Sequence, residues 1–179
     1  MLKKEDTVLV LVDIQGRLAT LMYDRDNFFD NIVKLIKGAK ALGLPLLWNE
    51  QLPDKLGETI PQIKENLTGL QPLIKNTFSC CGNEAFMTGL KNTGCKQVLL
   101  CGMETHVCVY QTARDLLDRG YEVYLVADAV SSRTPENRET GIRAIMQRGG
   151  KITSVEMALF EMLQIAEGEA FKQCIKIVR

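Results

Sequence analysis

Cys108 is the residue around which chemistry can be built. It lies in residues 98–120, VLLCGMETHVCVYQTARDLLDRG, where a short apolar run breaks at Gly102 and a helical pattern begins. Residues 98–101 have the continuous hydrophobicity of a buried strand. Thr105 is placed to cap a helix, and Val109, Ala113, Leu116 and Leu117 recur at helical spacing before Gly120. Cys108 is therefore expected in the first helical turn. Unpaired backbone N–H groups and the positive end of the helix dipole favour an anion there. The thiol should then ionise more readily than a free one and act as a nucleophile beside an oxyanion site.

Such a thiol needs a base. The only histidine, His106, precedes the cysteine by two positions, and residues spaced i, i+2 on a helix do not face each other, which argues against a Cys–His pair. Asp13 closes the apolar run at residues 8–12, and partial desolvation at a strand end would raise its pKa into the range of a working base. Lys75 closes a third short strand and would keep the site electropositive. Gln15 is placed to orient Asp13 or to bind ligand. Glu50, Gln51 and Arg133 are loop residues placed to meet substrate, and His106 reads as a neutral residue of the pocket or its packing.

The elements that must position these side chains follow from the periodicity. Short apolar runs alternate with amphipathic stretches, the pattern of an α/β protein with a mostly parallel sheet. Strands are expected at residues 8–12, 45–48, 72–74, 98–101, 121–127 and 151–153. Helices are expected at residues 26–42, around 62–66, at 83–91, from Thr105 to Gly120, from Pro135 to Gly149, after Ser154, and at about 168–178. Residues 128–133 read as a loop. Residues 49–71, punctuated by Pro53, Gly57, Pro61 and Gly69, read as a lid or specificity loop. With six strands in the common order 3-2-1-4-5-6, strands one and four become neighbours at the reversal point, where ligands bind beyond the strands' carboxyl ends. Asp13 and Cys108 would then meet in one crevice. Lys75 would start two strands away, about 10 Å at the usual spacing, so its side chain must lean inward.

Composition narrows the partners. Lys plus Arg and Asp plus Glu both number 22, so no basic field attracts nucleic acid or anionic lipid. The apolar stretch at residues 8–12 is too short for a signal-peptide core or a membrane span, and the chain is expected in the cytoplasm. Its six cysteines, Cys80, Cys81, Cys95, Cys101, Cys108 and Cys174, are then expected as free thiols without metal-ligand spacing. No metal and no cofactor is expected. At 179 residues the chain suits one domain, residues 1–179, with a C-terminal amphipathic helix that covers the sheet edge or pairs with another subunit.

VLVLVDIQ, the lysine at the third strand end and CGMETHVCVYQTARDLLDRGYEVYLVADAVSSR together resemble the isochorismatase-like cysteine hydrolases, from about Thr7 to Leu163. The resemblance implies a three-layer α/β/α doubly wound sandwich and an Asp13, Lys75, Cys108 triad. It also implies a cis peptide at Met103-Glu104 and an oxyanion hole made by the N–H groups of Glu104 and Cys108. It implies a homo-oligomer as well. Nicotinamidases of the superfamily carry an Asp-x-His motif and a further histidine for a metal. The matching region, Trp48-Asn49-Glu50-Gln51-Leu52-Pro53, has no histidine. Some isochorismate-cleaving relatives act on a vinyl ether and lack the cysteine, so Cys108 favours acyl chemistry on a small amide or related C–N bond. The substrate is expected to be a small molecule. The alternatives are a scaffold with no useful turnover, a vinyl ether hydrolase, and a redox sensor using Cys80 and Cys81.

Overall fold

Six short apolar segments pair side by side, and the order in which they pair decides where the reactive side chains meet. A computed structural model describes residues 1–179. In chain order the elements are β1 (Thr7–Val12), α1 (Gly16–Ala19), α2 (Arg25–Leu42), β2 (Leu46–Gln51), α3 (Pro53–Leu56), α4 (Pro61–Lys64) and β3 (Leu73–Lys75). There follow α5 (Glu84–Asn92), β4 (Gln97–Met103), α6 (Tyr110–Asp118), β5 (Glu122–Ser131), α7 (Pro135–Gln147), β6 (Lys151–Thr153), α8 (Val155–Leu163) and α9 (Gly168–Val178). The sheet runs β3-β2-β1-β4-β5-β6 with every neighbouring pair parallel. This is the expected three-layer α/β/α architecture and strand order.

Alternation along the strands divides the core in two. Leu9 and Leu11 of β1, Leu99 and Cys101 of β4, and Tyr124 and Val126 of β5 point to one face, where Ile32, Leu35 and Ile36 of α2 and Ala158 and Leu159 of α8 cover them. Val8, Val10, Val98, Leu100, Val123 and Leu125 point to the other, against Phe86 and Leu90 of α5, Ala113 and Leu116 of α6 and Ile145 of α7. Each fully buried aliphatic or aromatic side chain contributes about 1.5–3 kcal/mol, so these two layers fix the sheet. Helix starts are chemically marked. Asn83, Thr134 and Ser154 each accept a backbone N–H of the turn they cap, and Pro135 occupies the first position of α7.

Two expectations at the carboxyl edge need correction. Residues 128–131 are strand, not loop: β5 continues to Ser131, and its register against β4 shifts so that Leu100 faces Leu125 while Gly102 faces Val130. The irregularity frees carbonyls that Arg138 collects, donating to Val130 O at 3.0 Å and to Ala127 O. The polar sequence at Asp128 therefore marks a bulge within a strand. The segment holding Cys108 is not the first α-helical turn. Residues Thr105–Val109 form a π-helical turn, and regular α-helix begins only at Tyr110. α9 packs on α2 of its own chain, with Cys174 fully buried and Lys34 Nζ donating to Val178 O at 3.4 Å.

Candidate active site

β1 and β4 are neighbours, with Val12 opposite Gly102, so the chain leaves both strands on the same edge of the sheet. Asp13 follows β1 in the left-handed region at φ 56°, a conformation that costs a non-glycine residue about 1 kcal/mol or more and turns its carboxyl away from the strand direction. Glu104 does the same after β4, with φ 56° and ψ 58°, and delivers the chain into the π turn that carries Cys108. The Met103-Glu104 bond itself is trans, contrary to the cis geometry implied by resemblance, and the reversal comes from the left-handed Glu104. α7 backs this turn closely. A Cβ on Gly141 would lie 2.6 Å from Thr105 C and 2.7 Å from His106 N, so only glycine fits.

Lys75 reaches the site across β2. Its Cα is paired with Gln51, and its side chain, 0% exposed, extends to place Nζ 2.6 Å from Asp13 Oδ2. The same ammonium donates to Gln51 Oε1 at 3.1 Å, Thr77 O at 3.0 Å and Phe78 O at 3.1 Å. Four acceptors share three protons, so the lysine is locked in place while Asp13 receives only part of its charge. Asp13 Oδ1 is buried and has no hydrogen-bond donor. Burial raises the Asp13 carboxyl above the usual range, against the lowering effect of Lys75.

Cys108 is 7% exposed, and its thiol donates to Gln51 Oε1 at 3.5 Å. Burial pushes this thiol up to about 12, the Asp13 carboxylate adds to the rise, and Lys75 opposes it. Burial therefore reverses the expectation of a readily ionised thiol. Desolvation and a neighbouring negative charge outweigh the turn's amides and the lysine. What the arrangement supports chemically is transfer of one proton between a buried thiol and a buried carboxyl, beside a fixed cation.

Asp13, Gln15, Leu18, Gln51, Leu56, Met103, Glu104 and Cys108 line a cavity of about 40 Å³. That is room for about one to three water-sized groups. Leu18 of α1 and Leu56 of α3 form its apolar cover, tied down where Gly16 meets the backbone of Leu56 and Gly57. Gln15 is the main strut. It accepts from Gln51 N at 2.7 Å and donates to Gln51 O at 2.8 Å and to Gly57 O at 2.7 Å.

A model described as the isochorismatase domain matches residues 7–157. The chain belongs to the isochorismatase family. Among its relatives, isochorismatase domain-containing protein 2 of Danio rerio is 35% identical over 99% of this chain and 89% of its own length. The secreted isochorismatase effector Isc1 of Phytophthora sojae is 36% identical over 97% and 84%. The structure of MAR1 ribonuclease from Caenorhabditis elegans superposes with a TM-score of 0.92 at 32% identity, covering 99% of this chain and 91% of that one. YcaC from Pseudomonas aeruginosa, solved with hexane-2,5-diol and covalent acrylamide, superposes with a TM-score of 0.91 at 26% identity over 98% and 90%.

In this isochorismatase-family chain the fold brings together Asp13, Lys75, Cys108, Gln15, Gln51, Met103 and Glu104. Three residues expected at the pocket stand outside its lining. Glu50 alternates to the opposite side of β2 from Gln51, where its Oε1 accepts from Thr59 N at 2.7 Å and it anchors the loop rather than facing the cavity. His106 lies outside the lining, with Nδ1 3.0 Å from Ser132 Oγ and Nε2 4.0 Å from Glu104 Oε2. Arg133, half exposed, meets both Glu104 carboxylate oxygens at 3.3 Å, so it braces the rim. The apolar cover of Leu18 and Leu56 went unpredicted. Both sit in short segments whose only signal is the glycine beside each, Gly16 and Gly57.

Proposed function

We propose that this isochorismatase-family chain is a metal-independent cysteine hydrolase of small amides or related C–N acyl substrates, built as one domain over residues 1–179. The observation that carries the reading is one thiol, Cys108, and one carboxyl, Asp13, lining a single small cavity, with the buried ammonium of Lys75 beside it, its Nζ 2.6 Å from Asp13 Oδ2. Asp13 accepts the Cys108 proton, and the thiolate attacks the carbonyl carbon. The N–H groups of Glu104 and Cys108, at the start of the π turn where amides lack helical acceptors, hold the oxyanion. Asp13 then returns the proton to the leaving amine as the C–N bond breaks. Water, deprotonated by the same carboxylate, opens the thioester, and Lys75 offsets the negative charge throughout.

The small cavity with apolar cover favours a substrate with a short acyl group. The acrylamide bound covalently in the P. aeruginosa neighbour is an electrophile of the size and type that a thiol here should capture. A role on RNA, borrowed from the name of the C. elegans neighbour, finds no support in a chain whose 22 basic and 22 acidic residues cancel. No helix is long and apolar enough to cross a membrane. A cytoplasmic location and a homo-oligomer belong to the same proposal. The exposed Leu21, Tyr23 and Leu56 are available to another copy.

Ammonia release across a panel of small amides, with and without Cys108→Ala, tests the reading. Turnover that needs Cys108 is expected. Turnover that survives Cys108→Ala, or none on any amide, would put the catalytically silent scaffold ahead.

A further inference from the structure

Gln51 occupies a place in the site that the roles of Asp13, Lys75 and Cys108 leave unexplained. Its Oε1 accepts from Lys75 Nζ at 3.1 Å and from the Cys108 thiol at 3.5 Å. An ammonium only donates, so the carboxamide has a single workable orientation, with its oxygen toward Lys75. Its main chain is clamped from both sides by the Gln15 carboxamide, at 2.7 and 2.8 Å. Asp13 Oδ1, by contrast, is buried without a donor. The thiol therefore has its aligned hydrogen bond on a neutral amide oxygen, while the Asp13 carboxyl lies near enough to interact with the same thiol but has no aligned bond at Oδ1.

We propose that Gln51 is a positioning residue for the nucleophile: its Oε1 holds the Cys108 S–H off Asp13 in the resting site, and substrate turns the thiol to Asp13 Oδ1. This rests on the thiol-hydrolase reading and adds a control to it. In that step the S–H bond breaks, an O–H bond forms at Asp13 Oδ1, and the electron pair stays on sulfur. Gln51 Oε1 keeps its bond to Lys75 throughout. Because Gln15 also holds Gly57 O at 2.7 Å, the cover over the cavity and the acceptor of the thiol are fixed by the same side chain. Displacement of the cover by an entering ligand would thus loosen the resting contact.

The S–H stretching band tests this directly in the full chain. Subtracting the infrared spectrum of Cys108→Ala isolates the Cys108 band from those of the other five thiols. In Gln51→Met the amide acceptor is gone and the Asp13 carboxylate is the acceptor that remains. A charged acceptor makes the stronger hydrogen bond, so the band should move to lower frequency. Gln51→Glu keeps the shape but charges the acceptor, and the band should again fall. A Cys108 band unmoved in either folded variant would overturn the assignment. No substrate is needed for the measurement. A silent amide panel therefore counts against the hydrolase reading alone, and an unmoved band against Gln51 alone.

Discussion

Replacing Lys75 with methionine keeps most of the stem and removes the charge from a pair whose side chains are 0% and 5% exposed. Breaking a buried pair from one side costs about 3–5 kcal/mol, because the remaining charge is left unsolvated. Protonation of Asp13 relieves that cost, which makes it depend on pH. In the folded wild type the Asp13 pKa is already raised by burial. Its contribution to stability is thus fully present below the unfolded value, near 3.9, and is lost as pH rises through the folded value. Lys75 lowers the folded value, so Lys75→Met raises it further and extends the loss to higher pH. The penalty relative to wild type should be smallest near pH 4 and grow toward pH 7–8, by at most about 1.4 kcal/mol per pH unit. Urea denaturation at pH 4, 5.5, 7 and 8 measures it. Adding Asp13→Asn should recover most of the loss, since the uncompensated charge is then gone. A penalty below about 1 kcal/mol at pH 7, or one constant from pH 4 to 8, would refute the reasoning.

Two further perturbations test the scaffold around the site. Gly141→Ala should destabilise by about 1–3 kcal/mol on thermal melting, although alanine is the better helix former, because the new methyl would enter the Thr105–His106 backbone. An unchanged or higher melting temperature would show that the π turn can shift. Gln15→Leu removes three hydrogen bonds at 2.7–2.8 Å and leaves backbone groups of Gln51 and Gly57 unpaired, at a cost of roughly 2–4 kcal/mol. Hydrogen exchange should quicken first at Gln51 and across α3. Uniform quickening over the whole sheet would mean that Gln15 supports the fold and not the cover.

The layers of this protein were legible because they rest on local patterns. Continuous apolar runs at β1 and β4 imply strands covered on both faces, and the 3.6-residue period of α2 and α9 gives their buried stripes. The meeting of Asp13 and Cys108 followed from strand order alone. What escaped depends on contacts between distant segments. The spacing of Val109, Ala113 and Leu116 is the same whether the preceding turn is α or π, and the close approach of Gly141 lies more than thirty positions away. Glu50 and Gln51 are adjacent in sequence, yet strand alternation sends one to a loop anchor and the other to the thiol. Burial of Cys108 reversed the expected direction of its ionisation. A helix-start argument counts the favourable amides but not the water removed by Leu18, Leu56 and Met103.

That reversal carries its own prediction. A thiol held at about 12 would cost roughly 7 kcal/mol to ionise into solvent at pH 7, which is too much for a spontaneous nucleophile. Passing the proton to Asp13 reduces that cost, since it removes the neighbouring negative charge that raises the thiol and leaves the total charge of the pair unchanged. The carboxylate thus plays opposite parts. As a neighbouring charge it suppresses the thiolate, and as a base it makes the thiolate accessible once substrate is in place. Asp13→Asn separates the two. It removes the second-largest cause of the thiol's elevation and leaves the Lys75 cation, so Cys108 should be alkylated by iodoacetamide at pH 7 at least tenfold faster than in wild type. Hydrolysis of any amide turned over by the wild type should fall at least about 100-fold, the usual contribution of general base catalysis. Alkylation and turnover falling together would refute the double role and leave Asp13 as a structural partner of Lys75.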